Sequence, residues 1–295
     1  MTEVHVVLPD GIDDPSRPSG GNVYDRHVCR GLAASGWTVH EHVVALDDIP
    51  DGALVLVDGM VAAPARRVRM VVLVHMPLCD DRERAVLESA AAVIATSEWS
   101  RRRLLDAHGL PAERVHVATP GADAAKPASG TQTGEALLCV AAVTPEKGHD
   151  VLLDALATIT DLRWRCTCVG SLEKDPAFAQ RIRRHPVADG VTFTGPRIGA
   201  ELDRSFAAAD LLVLPSRTEA YGMVVTEALA RGIPAIAADV GGVSEALGDG
   251  GLLVAPEDPA ALGAALRNWL TDGELRDRQR RAARDRRASL QHPGR

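Results

Sequence analysis

Two carboxylates and a glycine lie close together in the stretch EAYGMVVTE, with Glu219 and Glu227 at its ends and Gly222 between them. A short apolar run precedes the stretch and an Ala/Leu-rich segment follows it, which predicts a strand, a turn and a helix beginning near Gly222. Backbone amides at a helix start can seat a phosphate group, and a glycine allows close approach. The amides at this predicted start belong to Tyr221, Gly222 and Met223. The stretch therefore predicts an anion seat flanked by two acids.

The separation of the two acids indicates what kind of molecule they could hold. Glu227 lies about five residues into the predicted helix, which places it roughly 7 Å along the axis from the phosphate seat. Because carboxylates accept hydrogen bonds from hydroxyl groups, an acid on each side of a phosphate suits a nucleoside diphosphate sugar. The alternative is that Glu219 is an ordinary acid near a helix start and Glu227 lies on a solvated helix face.

Two further glycine-containing loops follow predicted strands. The sequence PEKG places Lys147 and Gly148 at the entry to a helix, where the lysine can reach a diphosphate as a mobile point charge. The loop after the first strand ends in Gly20 and Gly21, which allow close backbone approach to phosphate. Their spacing does not match GxGxxG, so hydride transfer with a nicotinamide cofactor loses its main support. An exposed lysine and a plain glycine loop are the alternatives.

A histidine, His75, ends the predicted strand MVVLVH, where it can hydrogen-bond an acceptor or a sugar hydroxyl. A purely structural histidine is the alternative. Three further strand-end loops, at 170–176, 193–198 and 239–245, complete a ring around one site. The sequence contains no nucleophile elbow, P-loop or zinc-ligand spacing.

Short apolar runs that alternate with longer helical segments must position these residues. The runs are typical of buried parallel strands, and the alternation predicts an α/β protein with doubly wound sheets. In the second half, the predicted helices span 147–158, 175–185, 199–208, 222–231 and 258–270. A segment rich in Gly, Pro, Ser and Thr at 119–135 predicts an interdomain connection, with domains at 1–130 and 131–295. Two facing Rossmann-like domains would enclose a ligand cleft.

Composition limits the class of protein and of partner. Hydrophobic residues make up 46% and charged residues 25% of 295 residues, which describes a globular chain too long for one ordinary core. The net charge of −7 and the 3% of aromatic residues disfavour nucleic acid as a partner. An arginine-rich run at 275–289 predicts a solvated or frayed terminal helix, with contact to an anionic membrane surface as the alternative.

The five cysteines lack the paired spacings of zinc sites and indicate no disulfide framework. Cys166 and Cys168 are two residues apart on a predicted strand, so both side chains are expected to lie on one face and to be small and buried. No apolar run reaches the length of a membrane span. We therefore expect a reduced, cytoplasmic location, with peripheral contact at the inner face of the membrane left open and oligomeric state not indicated.

Taken together, these residues resemble the retaining glycosyltransferases of family 4, whose GT-B fold consists of two facing Rossmann-like domains. The resemblance is densest at 137–272 and rests chiefly on the E-x7-E pattern from Glu219 to Glu227, with PEKG and the amino-terminal glycine pair. It implies transfer of a hexosyl group from a nucleoside diphosphate sugar to a hydroxyl of a small-molecule, lipid or glycan acceptor. It also implies retention of anomeric configuration and no bound metal or other cofactor.

The resemblance implies a role for each matched residue. Glu219 and the amides after it would hold the transferred sugar, and Glu227 would hold the ribose. Lys147 would neutralise the departing diphosphate, and His75 would lie beside the sugar and the acceptor. The loop residues that would approach the nucleotide are Gly20 and Gly21 at the diphosphate and Gly195 and Pro196 at the base.

Two departures from the family pattern qualify the expected activity. Many relatives carry a Gly-Arg pair five residues before the lysine, and here the corresponding residues are Ala141 and Ala142. Arg217 is a candidate substitute for that arginine. The carboxyl end is also short for this fold. These departures motivate two alternatives, a nucleotide-sugar-binding protein without transfer activity and an epimerase of the same fold.

Overall fold

The computed structural model describes residues 2–16, 18–44, 48–65, 67–131 and 133–290. The chain forms two compact units. The first contains the residues up to Asp14 and from Pro18 to Pro120, and the second contains the chain from Gly121 onward with a short piece at 15–16. The division falls inside the connection predicted at 119–135, ten residues before the boundary placed at 130.

The first unit is one parallel six-stranded sheet with helices between its strands. The strands are β1 (Glu3–Leu8), β2 (Thr38–Val43), β3 (Leu54–Asp58), β4 (Arg69–Val74), β5 (Ala92–Ala95) and β6 (Val115–Val117), in the order β2-β1-β3-β4-β5-β6. The helices are α1 (Gly20–Ala34), α2 (Asp81–Ser89) and α3 (Glu98–His108). The edge strand β2 was not predicted, because its sequence TVHEHV is polar and none of its residues is fully buried.

The second unit repeats this architecture. Its strands are β7 (Ala136–Val140), β8 (Arg165–Val169), β9 (Val191–Phe193), β10 (Leu211–Leu214), β11 (Ala235–Ala238) and β12 (Gly251–Val254), in the order β12-β11-β10-β7-β8-β9. Its helices are α4 (His149–Ala157), α5 (Pro176–Arg183), α6 (Gly199–Ala207), α7 (Met223–Leu229), α8 (Val243–Leu247), α9 (Pro259–Thr271) and α10 (Gly273–Leu290). The prediction of doubly wound α/β units is confirmed.

Apolar packing on both faces of each sheet explains why the strands read as continuous hydrophobic runs. All four residues of β10 are buried, and so are all four of β11. Cys166 and Cys168 are buried in one core cluster together with Cys139, as the alternation predicted for the first two. The five cysteines are free thiols.

The arginine-rich run forms α10, and this helix is docked rather than frayed. Ala283 is fully buried against the core of the second unit. Arg280 donates a hydrogen bond to the Thr131 carbonyl at 2.9 Å, and Arg287 donates to the Ala125 and Ala230 carbonyls at 2.9 and 2.8 Å. The prediction of a frayed helix is therefore wrong, whereas Arg278, Arg281 and Arg284 are exposed to solvent as predicted. No helix in the described parts of the chain has the length and apolar character needed to span a membrane.

Candidate active site

The strand order of the second unit reverses between β7 and β10, and ligands of open α/β sheets bind beyond the carboxyl ends of strands at such a reversal. Lys147 follows β7 and Glu219 follows β10, and their side chains meet there. Lys147 Nζ lies 2.7 Å from Glu219 Oε1, and Ser216 Oγ donates to the same oxygen at 2.8 Å. Glu219 Oε2 accepts no hydrogen bond from any residue that the structure describes. One carboxylate oxygen thus holds both the lysine and the serine hydroxyl, and the other is not engaged by the described residues.

Two glycines bring the loops that carry this pair into contact. Gly148 has φ of +66°, and a Cβ at this position would lie 2.0 Å from the Pro215 carbonyl oxygen. Gly241, after β11, has φ of +57°, and a Cβ there would lie 1.6 Å from the Glu219 carbonyl oxygen. Neither backbone conformation nor spacing tolerates a side chain. The loops after β7, β10 and β11 are therefore packed backbone to backbone around Lys147 and Glu219.

Arg217 supports the loop that carries Lys147, and its guanidinium is already engaged by other residues. Its guanidinium pairs with Asp150 at 2.9 Å and with Glu257 at 2.7 Å, and it also donates to the Pro145 carbonyl. Burial acts to raise the pKa of Asp150, but Arg217 outweighs it and the pKa is lowered overall. Because these partners occupy the guanidinium, the geometry does not support the idea that Arg217 replaces the arginine missing at Ala142.

The helix predicted near Gly222 begins at Met223 as α7, and Gly222 precedes it in the left-handed conformation with φ of +92°. Tyr221 is buried, and Glu227 on α7 is half-buried. Gly195 and Pro196 follow β9, two strands from β7 at the same carboxyl edge of the sheet. A Cβ on Gly195 would meet nothing within 4 Å, so this predicted base-pocket loop is open.

In the first unit, Gly20 and Gly21 are the first two residues of α1, and a Cβ on Gly21 would lie 3.3 Å from the His75 ring. The glycine pair and the histidine predicted as site residues are therefore neighbours. His75 Nε2 lies 2.9 Å from Asp25 Oδ1 and 3.4 Å from Asp58 Oδ2. Sequence reasoning missed both aspartates, although Asp58 ends a strand beside that of His75 and could have been found from this position.

A family profile described as "Glycosyl transferases group 1" matches residues 123–286, which is more than half of the chain. A second profile, "Glycosyltransferase Family 4", matches residues 51–126. The chain belongs to glycosyltransferase family 4. The recognition made from the E-x7-E pattern is thereby confirmed at the level of the family.

Two similar curated members of the family carry the same name. The chain is 33% identical over 221 residues to a D-inositol 3-phosphate glycosyltransferase of Nocardia farcinica, an alignment that covers 68% of this chain and 48% of the relative. It is 32% identical over 228 residues to the protein of that name from Jonesia denitrificans, covering 68% and 54%. The chain thus spans about half the length of the curated relatives it matches.

Solved structures support the GT-B fold. The sucrose-phosphate synthase of Thermosynechococcus elongatus superposes with a TM-score of 0.79 at 22% identity, covering 98% of this chain and 95% of that one. Anabaena HepE, solved in complex with UDP and glucose, superposes with a TM-score of 0.77 at 19% identity and the same coverage. At these identities the likeness concerns the fold alone.

The electrostatics differ between the two sets of candidate site residues. Burial alone would lower the pKa of His75, but its hydrogen bonds with Asp25 and Asp58 outweigh burial and raise the pKa to about 9. Burial raises the pKa of Asp25 to about 6, against the opposing effect of His75. Burial also acts to raise the pKa of Asp58, but hydrogen bonds with His75 and the Met60 amide lower it overall. The two carboxylates therefore favour the charged form of the His75 ring.

Two clusters among the described residues bring three potential metal ligands within 4.8 Å of one another. One is Asp25, Asp58 and His75, in which both carboxylates contact His75 Nε2, so the ligand atoms are engaged with one another as an ion-pair cluster. The other is Cys139, His149 and Cys168, all buried, with Cys139 Sγ 3.8 Å from His149 Nε2. The second cluster escaped the search for zinc spacings because Cys139 and Cys168 face each other across β7 and β8 instead of lying close in sequence.

Glu227→Gln should remove a pH dependence of stability. Burial raises the pKa of Glu227 from 4.5 to about 7, with Arg231 opposing the shift. The folded state thus holds the proton more tightly than the unfolded chain. The protonated Glu227 therefore makes its full contribution to the free energy of unfolding below pH 4.5, and this contribution is lost as the pH rises through about 7. Glutamine avoids the loss, and urea unfolding at pH 8 should show a gain of about 1 to 3 kcal/mol.

The control for this measurement is Glu173→Gln, which makes the same change at an exposed loop residue of the same unit. It should leave the free energy of unfolding within about 0.5 kcal/mol of the parent at every pH. Equal effects of the two substitutions at pH 8 would show that the burial of Glu227 does not control its ionisation.

Proposed function

We propose that this family 4 chain transfers a hexosyl group from a nucleoside diphosphate sugar to a hydroxyl group, with retention and without a bound metal. The observation that supports it best is the Lys147–Glu219 pair at the reversal of strand order, with Glu219 Oε2 open to a ligand. A cation beside a hydroxyl acceptor suits a molecule that joins a diphosphate to a sugar. Anabaena HepE, a neighbour in fold, was solved with UDP-glucose, which makes UDP-glucose the first donor to test.

Each residue of the pair has a separate task in the proposal. Glu219 accepts a hydrogen bond from a sugar hydroxyl through Oε2 and steadies Lys147 through Oε1. Lys147 moves its ammonium group onto the diphosphate as negative charge grows on the leaving group, the role that a divalent cation fills elsewhere. Glu227 accepts a hydrogen bond from the ribose, and the Gly195 loop receives the base.

The proposed chemistry exchanges one glycosidic bond for another on the same face of the sugar. The bond from the anomeric carbon to the diphosphate oxygen breaks, and a bond from that carbon to the acceptor oxygen forms through an oxocarbenium-like transition state. The acceptor proton passes to an oxygen of the leaving diphosphate. The curated relatives are named for D-inositol 3-phosphate, so a phosphorylated polyol is the first acceptor to test.

The experiment is a titration of the purified chain with UDP- and GDP-sugars, followed by an assay of nucleoside diphosphate release with and without D-inositol 3-phosphate and other hydroxylated acceptors. Acceptor-dependent release of the nucleoside diphosphate would support the proposal, together with NMR spectra showing that the product keeps the anomeric configuration of the donor. An absence of binding to every donor would contradict it. Full activity after treatment with a chelator is expected, and its loss would contradict the metal-independent part.

A nucleotide-sugar-binding protein without transfer activity is the second candidate. It is favoured by Ala142 in place of the family arginine and by the engagement of Arg217 with Asp150 and Glu257. The same titration separates the two functions, because this candidate predicts donor binding with no diphosphate release under any acceptor.

A further inference from the structure

Two buried carboxylates converge on one ring nitrogen in the first unit. Asp25 on α1 and Asp58 at the end of β3 are 3% and 5% exposed, and both approach Nε2 of His75. The strand order of this unit reverses between β1 and β3, and α1 is the helix that follows β1. The cluster therefore lies where a ligand of this unit is expected. Neither aspartate has a part in the chemistry proposed above.

The two contacts determine which nitrogen carries a proton. A carboxylate accepts hydrogen bonds, so a ring nitrogen that faces two carboxylates is stable only as an N–H donor. Nε2 is therefore protonated in either charge state of His75, and the charge state depends on Nδ1 alone. The pKa of His75, about 9, means that Nδ1 is protonated as well at neutral pH.

The ring is also held in place by its neighbours. Tyr24 meets it edge to face, with ring centroids 5.7 Å apart. Gly21 lies so close that an added Cβ would come within 3.3 Å of the ring. Nδ1 forms no hydrogen bond with any of the residues that the structure describes, and His75 lines a small cavity of about 50 Å³. Nδ1 is the nitrogen that remains for a ligand.

Other charged groups near the cavity do not cancel the two acids. Arg82 and Glu83 on α2 line the same cavity. Arg82 is exposed, so solvent screens its repulsion of a charged ring. Glu83 is engaged by His108 Nε2 at 2.8 Å and by the Cys79 amide, also at 2.8 Å. Asp25 and Asp58 are thus the acids in direct contact with the ring.

We infer that Asp25 and Asp58 are positioning residues that hold His75 as an imidazolium, so that Nδ1–H donates a hydrogen bond to an oxygen of the substrate. This inference rests on the proposed function for the nature of the substrate. Its chemical consequence is that His75 supplies positive charge and a hydrogen bond and does not accept the acceptor proton. One buried oxygen, Asp25 Oδ2, has no partner among the described residues, in keeping with an acid retained for its field on the ring.

The first test is an NMR titration of the histidine rings, with the His75 signal assigned from its loss in His75→Gln. The parent ring should titrate near pH 9, and Asp25→Asn and Asp58→Asn should each lower its midpoint by about 1 to 3 pH units. The control is Asp13→Asn, which removes an exposed carboxylate that pairs with Arg26 on the same helix as Asp25. It should leave the midpoint unchanged.

A parent midpoint at or below 6.5 would overturn the inference, and so would midpoints that fail to move in both aspartate variants. If neither variant folds, the parent titration still decides, because an ordinary midpoint there contradicts an imidazolium. The NMR readout does not depend on transfer activity. A high midpoint in a chain that transfers no sugar would reject the proposed function and keep the charged histidine.

The second test is the pH profile of kcat/KM for glycosyl transfer. The alkaline limb of the parent should fall as His75 loses its proton near pH 9, and the limb of Asp25→Asn should move to lower pH by the same interval as the NMR midpoint. Asp25→Glu, which keeps the charge, should return the alkaline limb most of the way to its position in the parent. A profile that rises as His75 deprotonates would identify a general base and overturn the inference.

Discussion

Glu219→Ala is expected to lower the turnover of glycosyl transfer by about 100- to 1,000-fold, the cost of removing one preorganised polar group from a reacting centre. The substitution removes the oxygen proposed to bind the sugar and also releases Lys147, which the other oxygen holds at 2.7 Å. The measurement is kcat for diphosphate release at saturating donor. The control is Glu274→Ala, an exposed acid on α10 of the same unit, whose turnover should match the parent.

Lys147→Ala completes a double-mutant cycle with Glu219→Ala. Because the two side chains form one hydrogen-bonded unit, the double variant should lose far less activity than the product of the two single losses. Lys126→Ala provides the matched change of charge at an exposed position outside the predicted site loops. Strictly multiplicative losses would show that Lys147 and Glu219 act independently. Unchanged turnover in Glu219→Ala would contradict the role proposed for Glu219.

Gly148→Ala should destabilise the second unit by about 3 kcal/mol, the sum of a left-handed conformation and an overpacked contact. Gly148 has φ of +66°, and the new methyl would lie 2.0 Å from the Pro215 carbonyl oxygen, which belongs to the loop of Glu219. Because that clash can be relieved only by separating the two loops, the KM for the donor should rise as well. Urea unfolding and donor titration measure the two effects.

Gly199→Ala is the control for this effect. Gly199 also has a positive φ, +51°, but an added Cβ meets nothing within 4 Å, so only the conformational cost of about 1 kcal/mol is expected. Equal losses in the two variants would show that the loops can part without strain and that the contact does not position Lys147.

Local sequence pattern was enough to predict most of the second unit. The five helices predicted there begin and end within two residues of α4, α5, α6, α7 and α9, because each carries a helical apolar period between turn residues. Glu219 and Glu227 fell on a strand-end loop and a helix as predicted, since both positions depend on a single strand–turn–helix unit. The short helix α8 was missed, because five residues are too few to show a period.

Contacts between distant segments could not be predicted in the same way. Asp25, Asp58 and His75 come from α1, β3 and the end of β4, and only the register of the sheet makes them neighbours. The three partners of Arg217 likewise depend on how the loops of the second unit fold together. A sequence pattern reports the period of one element, whereas these sites join side chains from different elements, such as Asp25 and His75, 50 residues apart, and Arg217 and Glu257, 40 residues apart.

The docking of α10 has a consequence for the order in which the second unit can fold. Arg280 holds Thr131, and Arg287 holds Ala125, across separations of 149 and 162 residues. Such contacts close long loops and are slow to form, because the chain entropy lost on closing a loop is not compensated until the surrounding packing has formed. The segment that enters β7 therefore becomes anchored late, whereas the parallel strands of the first unit pair over shorter stretches of chain. Folding of the two units is expected to be sequential, with the second unit completed last.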